Sequence, residues 1–443
     1  MDTTPLVCII GTGYVGMACA IGFCELGARV RGYDIATERI VKLRAGIAPY
    51  HEEGVEASLR AHLASGTLSF HEDLSGAAAD ADFIVLAVGT PSRADGSAEL
   101  RAVDECVQAL GMLHFTKRPT IVLRSTVPAG TSDDVACAAA RWGDLIYAPE
   151  FLREGSAVPD FLNPDRIVVG AACTEDAVPY LALFESLAKP IMITTRSNAE
   201  LIKGCSNAFL ALKISFANEV ANLCGAVGGD ASDVLRGIGY DARIGPRFLQ
   251  PGIGFGGPCF EKDVKSIASV ARREGSGDLL FRATLRVNEA QPLRLVEQLE
   301  DEFEGSLAGA HIGVWGLTFK SGTDDLRDSM AIRIVTELAQ RGARITAFDP
   351  SVSVAHLPLG VELAKSAHAA ADADVLLLLT DWPEFALIPP SSYAKQLRRQ
   401  LVIDGRNSLD GDRIVRAGLR YAGVGRYMTS GSPLRKPDAA LAL

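Results

Sequence analysis

The sequence is short of several things, and each shortage removes a class of protein. No two of its nine cysteines form a CxxC pair and their number is odd, which speaks against a zinc site or a disulfide framework and for a reduced, cytoplasmic protein. Long basic runs are missing, and 44 Lys+Arg against 54 Asp+Glu leave a net charge of −10. Neither a nucleic-acid surface nor a membrane surface is expected from that balance. Charge is absent altogether from Pro5 to Cys24, a length close to that of a membrane span. Gly11, Gly13, Gly16 and Gly22 interrupt the stretch, however, and no Lys or Arg precedes it. A buried strand followed by a buried helix explains it better than a signal or transmembrane segment. What the sequence has in quantity is apolar residues: 48% hydrophobic against 22% charged over 443 residues. That is enough for roughly three domains and too much for a disordered chain.

Apolar runs alternate with helical spacing from the start. Leu6–Ile10, Ala28–Tyr33, Phe83–Val88 and Thr120–Leu123 read as strands, and Tyr14–Leu26 as a helix. This pattern predicts a parallel sheet covered on both faces. The C-terminal third repeats the plan. Gly27-Ala28-Arg29-Val30-Arg31-Gly32-Tyr33-Asp34 matches Gly342-Ala343-Arg344-Ile345-Thr346-Ala347-Phe348-Asp349, and Ala79-Asp80-Ala81-Asp82 matches Ala371-Asp372-Ala373-Asp374. One such match is ordinary α/β grammar; two in the same order predict a second, related domain. Between them, Leu201, Ile202, Cys205, Phe209, Leu212, Phe216, Val220 and Leu223 recur at steps of three and four. One long, largely buried helix over Asn198–Val227 follows from that spacing, with further helices at Lys262–Arg273 and Leu279–Phe303. The apolar excess of this middle section suits either a dimer surface or packing between domains. The expected fold is α/β: doubly wound parallel-sheet domains at 1–196 and 305–430, a central helical domain at 197–304 and a loose tail at 431–443.

Gly11-Thr12-Gly13-Tyr14-Val15-Gly16 follows the first strand and opens the first helix. In this context the first glycine makes the turn, the second admits a pyrophosphate and the third lets helix and strand pack, the Rossmann-like arrangement. Asp34 ends the second strand, where a carboxylate can bond both ribose hydroxyls and repel a 2′-phosphate. NAD is therefore favoured over NADP, although Arg39 nearby complicates the choice. The corresponding loop of the second domain, Gly316 to Asp328, is too long and too charged to hold a dinucleotide in the same way, but Lys320 and Arg327 could reach the phosphates of another ligand. Facing domains would place substrate and cofactor in the cleft between them.

Three glycine- or proline-marked segments look unlike packing sequence: Arg124–Thr131, Pro149–Ser156 and Pro251–Asp263. Loops of this kind carry ligands in such folds. Cys259 is the one cysteine outside an apolar run. It stands at the expected start of a helix containing Lys262, where helix amides and an ammonium would stabilise a thiolate, with Asp263 in reach of a nearby water. Lys203 and Asn207 are spaced i,i+4 and share a helix face. They suit an oxyanion and its proton, or else form an ordinary solvated face. A thiolate beside NAD points to two oxidations: alcohol to aldehyde, then a thiohemiacetal to a thioester that water hydrolyses.

With these motifs the chain resembles the nucleotide-sugar dehydrogenases, the UDP-glucose/GDP-mannose dehydrogenase family. The resemblance runs from the Gly11 motif through Val88-Gly89-Thr90-Pro91-Ser92, Ser125–Pro128, Pro149–Gly155, Asn163–Arg166, Gly254–Asp263 and Asp404–Asn407 to Tyr421–Arg426. It implies Cys259 as nucleophile, Asp263 as the acid/base for water, and Lys203 and Asn207 as oxyanion and hydroxyl holders, with Thr126 and Glu154 completing the pocket. Implied cofactor contacts are the Gly11–Gly16 turn with Tyr14 and Val15, and Asp34, Arg39, Thr90, Thr126, Glu154, Lys262 and Arg327. Implied substrate contacts are Glu150, Phe151, Leu152, Arg153, Glu154, Lys203, Asn207, Phe248, Leu249, Gln250, Pro251, Gly252, Gly256, Lys320 and Arg406. Arg243 resembles a residue supplied by the neighbouring subunit, which implies a homodimer or a larger assembly. Arg243-Ile244-Gly245 resembles the branch acting on UDP-glucose, while relatives act on GDP-mannose or N-acetylhexosamines.

Two departures stand out. His51-Glu52-Glu53-Gly54 replaces the family's usual Glu-Pro-Gly and is expected only to alter a loop. Glu261 brings an extra carboxylate beside the nucleophile. A two-electron hydroxyacid dehydrogenase with a Lys203/Asn207-like pair, and a nucleotide-binding regulator without turnover, are the competing readings.

Overall fold

The computed structural model describes residues 4–353 and 357–428; the expected tail at 431–443 lies outside the described residues. The chain divides into two compact units. The first runs to Asn207 and adds Lys265–Gly277, and the second holds Ala208–Val264 and the described residues from Asp278 onward. Residues 197–304, read from the sequence as a helical middle section, are shared between them, because the helix Arg196–Val227 is continuous across the division.

In the first unit, eight strands form one sheet: β1 (Leu6–Ile10), β2 (Arg29–Tyr33), β3 (Leu68–His71), β4 (Phe83–Leu86), β5 (Thr120–Leu123), β6 (Asp144–Tyr147), β7 (Ile167–Gly170) and β8 (Ile191–Thr194). Their order is β3-β2-β1-β4-β5-β6-β7-β8. β1 lies between β2 and β4 in parallel register, Val7 opposite Val30 and Phe83. Alternate side chains feed different cores: Val7 and Ile9 enter one, Leu6, Cys8 and Ile10 the other. A strand buried on both faces has no use for charge. The charge-free stretch is accounted for by β1 and the helix Tyr14–Glu25, which is buried from Gly16 to Cys24. One departure from the expected parallel sheet is β7, which pairs antiparallel with β6.

The second unit repeats the plan in seven strands: β9 (His311–Trp315), β10 (Arg344–Phe348), β11 (Val361–Leu363), β12 (Val375–Leu378), β13 (Leu401–Asp404), β14 (Arg420–Gly423) and β15 (Arg426–Met428). They are ordered β11-β10-β9-β12-β13-β14-β15, with β15 antiparallel. The sequence repeat has a physical cause in these sheets. Asp82 accepts the Leu6 N–H at the start of β1 at 2.9 Å, and Asp374 accepts the His311 N–H at the start of β9 at 2.8 Å. Each Ala-Asp segment thus ties the entry of one central strand to the next.

The long helix corrects the sequence reading of its faces. Phe209, Phe216 and Leu223 are 61%, 51% and 63% exposed, whereas Ala199, Lys203, Asn207, Ala211, Ser215, Asn218 and Ala221 are buried. Small and amide side chains line the packed face because neighbouring backbone approaches it closely. Ser215 Oγ bonds the Thr284 carbonyl at 2.9 Å and Asn222 Nδ2 bonds Gln291 Oε1 at 3.1 Å, both partners on the helix Leu279–Glu302. Phe209, Phe216 and Leu223 line the outer face of the single chain, while Ile202 and Val220 pack against neighbouring cores.

Candidate active site

The turn after β1 is shaped by its glycines. Gly11 adopts φ +90° and donates its N–H to the Tyr33 carbonyl at 2.9 Å. A Cβ on Gly16 would fall 1.8 Å from the Gly11 oxygen, whereas a Cβ on Gly13 would meet nothing within 4 Å among the described residues. The turn is therefore closed where helix meets strand and open at its middle. No side chain among the described residues caps the helix at Gly13, and its first turn, from Tyr14 and Val15 onward, carries no acid. Such an end presents N–H groups and a positive dipole to an anion, which fits a pyrophosphate.

Asp34, 6% exposed, closes the same turn. Its Oδ2 accepts Thr12 N–H at 2.8 Å, Thr12 Oγ1 at 3.0 Å and Arg39 Nη1 at 2.7 Å, and its Oδ1 accepts Ala36 N–H at 2.9 Å. Burial resists ionisation, but the Ala36 and Thr12 amides and the Arg39 guanidinium outweigh it and hold the carboxyl below its ordinary range. Arg39 is thus paired to Asp34, so its charge is already matched within the protein. Thr90 Oγ1 bonds the Thr126 carbonyl at 2.7 Å, joining the loops after β4 and β5.

Lys203 and Asn207 are 3% and 8% exposed, which rules out the solvated-face alternative. Lys203 Nζ lies 3.0 Å from Glu150 Oε1 and 5.5 Å from the Phe151 ring, while Glu150 Oε2 accepts the Leu152 N–H at 2.6 Å. Arg153 is turned to Asp160 at 2.6 Å; Glu154 is half-buried.

Sequence reasoning missed three buried groups here. Glu52, 5% exposed, does much more than alter a loop. It accepts Gly155 N–H at 3.0 Å, Ala157 N–H at 2.7 Å and Val158 N–H at 3.3 Å, and also the Tyr14 hydroxyl. That carboxylate clasps the cofactor-side helix to the Glu150–Ser156 loop, and Tyr14 Oη also accepts the Gly155 N–H at 2.5 Å. Glu200 accepts Gly130 N–H and Ser132 N–H, both at 2.7 Å, and burial pushes its carboxyl up despite these bonds. Arg124 is buried against neutral acceptors, Cys19 Sγ at 3.0 Å and the Ala148 carbonyl at 3.2 Å. The unusual His51–Gly54 segment was the available signal for Glu52, and the marked Arg124–Thr131 segment for Arg124; nothing local marks Glu200.

In the second unit, Cys259 is exposed immediately before the helix Phe260–Arg273. Exposure alone does not single it out, since Cys137, Cys173 and Cys205 are exposed as well, and no disulfide joins any of the nine. Its position at a helix head does. The Asp263 N–H bonds the Cys259 carbonyl at 2.9 Å, and Asp263, 2% exposed, holds Lys262 Nζ at 2.6 Å. Glu261 is half-buried in the same turn. Gly256 and Gly257 lie flat against the loop after β9: a Cβ would come within 2.5 Å of the Asp328 carbonyl at the first and 2.6 Å of the Phe319 ring at the second.

Arg406 bonds the Leu379 and Phe319 carbonyls at 2.8 and 3.0 Å, and burial pulls its guanidinium below the usual arginine value. A Cβ on Gly252 would touch the Gly405 carbonyl at 3.1 Å and the Arg406 side chain beyond it, so the Phe248–Gly252 segment and Arg406 are neighbours. Within that segment Phe248 and Gln250 are exposed, and Pro251 is buried. Leu249 packs with Ala217, Ala221 and Leu235, leaving only its backbone to meet a ligand. Lys320 Nζ is 5.8 Å from the Phe319 ring, Arg327 Nε bonds Asp325 at 2.8 Å, and Arg243, 89% exposed at its side chain, pairs with Asp241 at 2.6 Å. The turn after β9 keeps an aspartate, Asp349, on the Leu317 and Thr318 amides. The following helix begins only at Met330, behind a Ser329 cap, so no bare helix end faces that strand.

A pyrophosphate-shaped turn closed by an aspartate at the end of the second strand marks a dinucleotide-binding fold; the class is that of NAD-dependent dehydrogenases. The chain belongs to the UDP-glucose/GDP-mannose dehydrogenase family. It matches that family's NAD binding domain at residues 5–189, its central domain at 197–290 and its UDP binding domain at 313–411. It is 38% identical over 431 residues to a UDP-glucose 6-dehydrogenase of Bacillus subtilis, covering 95% of this chain and 97% of that one. A solved UDP-glucose dehydrogenase of Pyrobaculum islandicum superposes with a TM-score of 0.87 at 37% identity, covering 96% and 98% of the two chains. A UDP-D-ManNAc dehydrogenase of Pyrococcus horikoshii superposes at 0.84 with 26% identity, covering 95% and 99%. Among the described residues no helix is long and apolar enough to cross a membrane, and no His/Cys/Asp/Glu group could hold a metal ion.

Proposed function

We propose that this enzyme oxidises the C6 alcohol of UDP-glucose to the carboxylate of UDP-glucuronate, using two NAD. The observation that carries the reading is Cys259 at the head of a helix with buried Asp263 one turn on, in a chain whose other unit holds a dinucleotide turn. NAD, when bound, accepts a hydride at its nicotinamide ring in each of two rounds. Lys203, fixed by Glu150 at 3.0 Å, and Asn207 on the next turn hold the C6 oxygen, and the lysine amine takes up its proton as the alcohol becomes an aldehyde. Cys259 then adds to the aldehyde carbon, giving a thiohemiacetal whose remaining C6 hydrogen leaves as the second hydride. The resulting thioester is attacked by a water deprotonated by Asp263, and the carbon–sulfur bond breaks to return the thiolate. Glu154 and Thr126 complete the pocket. Lys320, Arg406 and the Phe248–Gly252 segment, with Gly256, take the nucleotide sugar.

The reading requires Lys203 and Asn207 of the first unit to act on the same carbon as Cys259 of the second. It extends to a homodimer formed through the outer face of the long helix, with Arg243 reaching the neighbouring site. A reducing, cytoplasmic location suits nine cysteines without a disulfide.

The test is stoichiometry across UDP-glucose, UDP-N-acetylhexosamines and GDP-mannose. UDP-glucose should yield two NADH per sugar. One NADH with accumulating aldehyde would reject the thioester route, and faster turnover of another sugar would move the substrate while keeping the chemistry. Cys259→Ser should stall after the aldehyde; an intact rate in that variant would favour a two-electron hydroxyacid dehydrogenase.

A further inference from the structure

Residues 249–259 form neither helix nor strand, so their backbone polar groups must find partners elsewhere. Two buried asparagines provide them. Asn288, on the helix Leu279–Glu302, accepts the Phe255 N–H on Oδ1 at 2.7 Å and donates Nδ2 to the Phe255 carbonyl at 3.0 Å, the pair of bonds a neighbouring strand would make. Asn218, on the long helix, accepts the Gly252 N–H at 2.8 Å. Their exposures are 3% and 0%. Between the two gripped residues, Ile253 enters the core beside Leu295, and Gly254 turns at φ +104° so close to Asn288 that a Cβ would stand 2.7 Å from Oδ1.

The Nδ2 of Asn218 is buried with no hydrogen-bond partner among the described residues. A buried donor without an acceptor lowers stability, and an apolar side chain of the same size would avoid that loss. The amide is worth its place only for the oxygen on Gly252. Immediately beyond Phe255, Gly256 and Gly257 lie against the Asp328 carbonyl and the Phe319 ring. There is thus little slack between the gripped backbone and the thiol.

We propose that Asn288 and Asn218 are positioning residues for the oxidation: they set the register of the Gly252–Phe255 backbone and through it the place of Cys259 Sγ. The proposal rests on reading Cys259 as the nucleophile. Neutral amides suit the task, because an aspartate at either position would accept the same N–H but bring a negative charge towards a thiolate. Displacement of a reacting group by an ångström is enough to lower a rate about a hundredfold.

The full-length enzyme would be compared with Asn288→Ala and with Asn218→Leu, which keeps the volume and removes the hydrogen bond. Three quantities would be measured: melting temperature, kcat and KM for both substrates, and the pH dependence of iodoacetamide labelling at Cys259, followed on the peptide that contains it. Asn218→Leu exchanges the unpaired Nδ2 for an unpaired Gly252 N–H and should melt near wild type, yet lose at least five-fold in kcat, with KM for NAD within two-fold. Asn288→Ala should lose ten- to a hundred-fold, and labelling of Cys259 should shift in rate or midpoint in both. A kcat within two-fold of wild type together with unchanged labelling in Asn218→Leu overturns the proposal, even if Asn288→Ala does not fold. Failure of the wild type to oxidise UDP-glucose would count against the assigned function instead, and the labelling comparison would still decide the role of the two amides.

Discussion

Replacing Glu52 by alanine should release the Glu150–Ser156 loop and expose how far activity depends on a carboxylate outside the reaction. Glu52 accepts two well-formed N–H bonds, from Ala157 at 2.7 Å and Gly155 at 3.0 Å, with the Tyr14 hydroxyl and a longer Val158 bond besides. Hydrogen bonds to an ionised group contribute about 1.5–3 kcal/mol each, so losing two gives about 3–6 kcal/mol. Water entering the half-buried Gly155 side should bring the cost to the lower end, about 3 kcal/mol. Glutamine keeps one acceptor oxygen and the shape but not the charge, and should lose roughly half as much. At a factor of ten per 1.4 kcal/mol, the alanine variant should speed amide exchange over 153–158 by about a hundredfold. Hydrogen exchange read by mass spectrometry measures this directly, and steady-state rates should show a raised KM for the sugar, since the same loop carries Glu150. Exchange within three-fold of wild type over 153–158 would refute the clasp.

Further outcomes can be checked at Asp34, in the glycine turn and on the long helix. Asp34→Ala should weaken NAD binding by about 1–3 kcal/mol through the lost ribose bonds, and calorimetry showing equal affinity would mean the acid is misread. Because the Asp34 carboxyl is held low, its stabilising contribution is complete above the ordinary carboxylate range, about pH 4, and disappears as pH falls through the lowered value; Asp34→Asn should flatten that acid limb of a melting-temperature profile. Gly16→Ala must push the helix off Gly11, since the added Cβ would stand 1.8 Å from a backbone oxygen, and should cost about 3 kcal/mol in stability. Gly13→Ala, with open space around it, should leave melting unchanged while weakening NAD binding, and equal losses in the two variants would contradict the assigned division of labour. Phe216→Asp, on the exposed apolar face, should convert a dimer to monomers in sedimentation and lower activity by removing Arg243 from the neighbouring site; an unaltered sedimentation coefficient would move the interface elsewhere.

Much of this molecule is legible in its sequence, for reasons that are local. β1 and the helix after it follow from a charge-free stretch punctuated by glycines, because a strand with both faces buried excludes charge and a tight turn demands glycine. The Ala-Asp repeat marked two homologous sheets because Asp82 and Asp374 each satisfy the first amide of a central strand. That Lys203 and Asn207 share a helix face, and that Cys259 heads a helix carrying Asp263, followed from helical spacing and a glycine-rich lead-in.

The faces of the long helix were not. Periodicity finds a stripe of Phe209, Phe216 and Leu223 but is silent on what covers it, and in the chain the packed side belongs to alanines, Lys203, Ser215 and two asparagines. Glu52, Glu200, Asn218 and Asn288 act on backbone far away in sequence, 34 residues off for Asn218 and 33 for Asn288, and no local pattern encodes such pairings. Composition and spacing determined the elements and the chemistry on offer, since turn geometry and side-chain alternation are short-range. Only tertiary structure decided which carboxylates and amides hold the loops in place, because a buried N–H takes whichever acceptor packing brings to it.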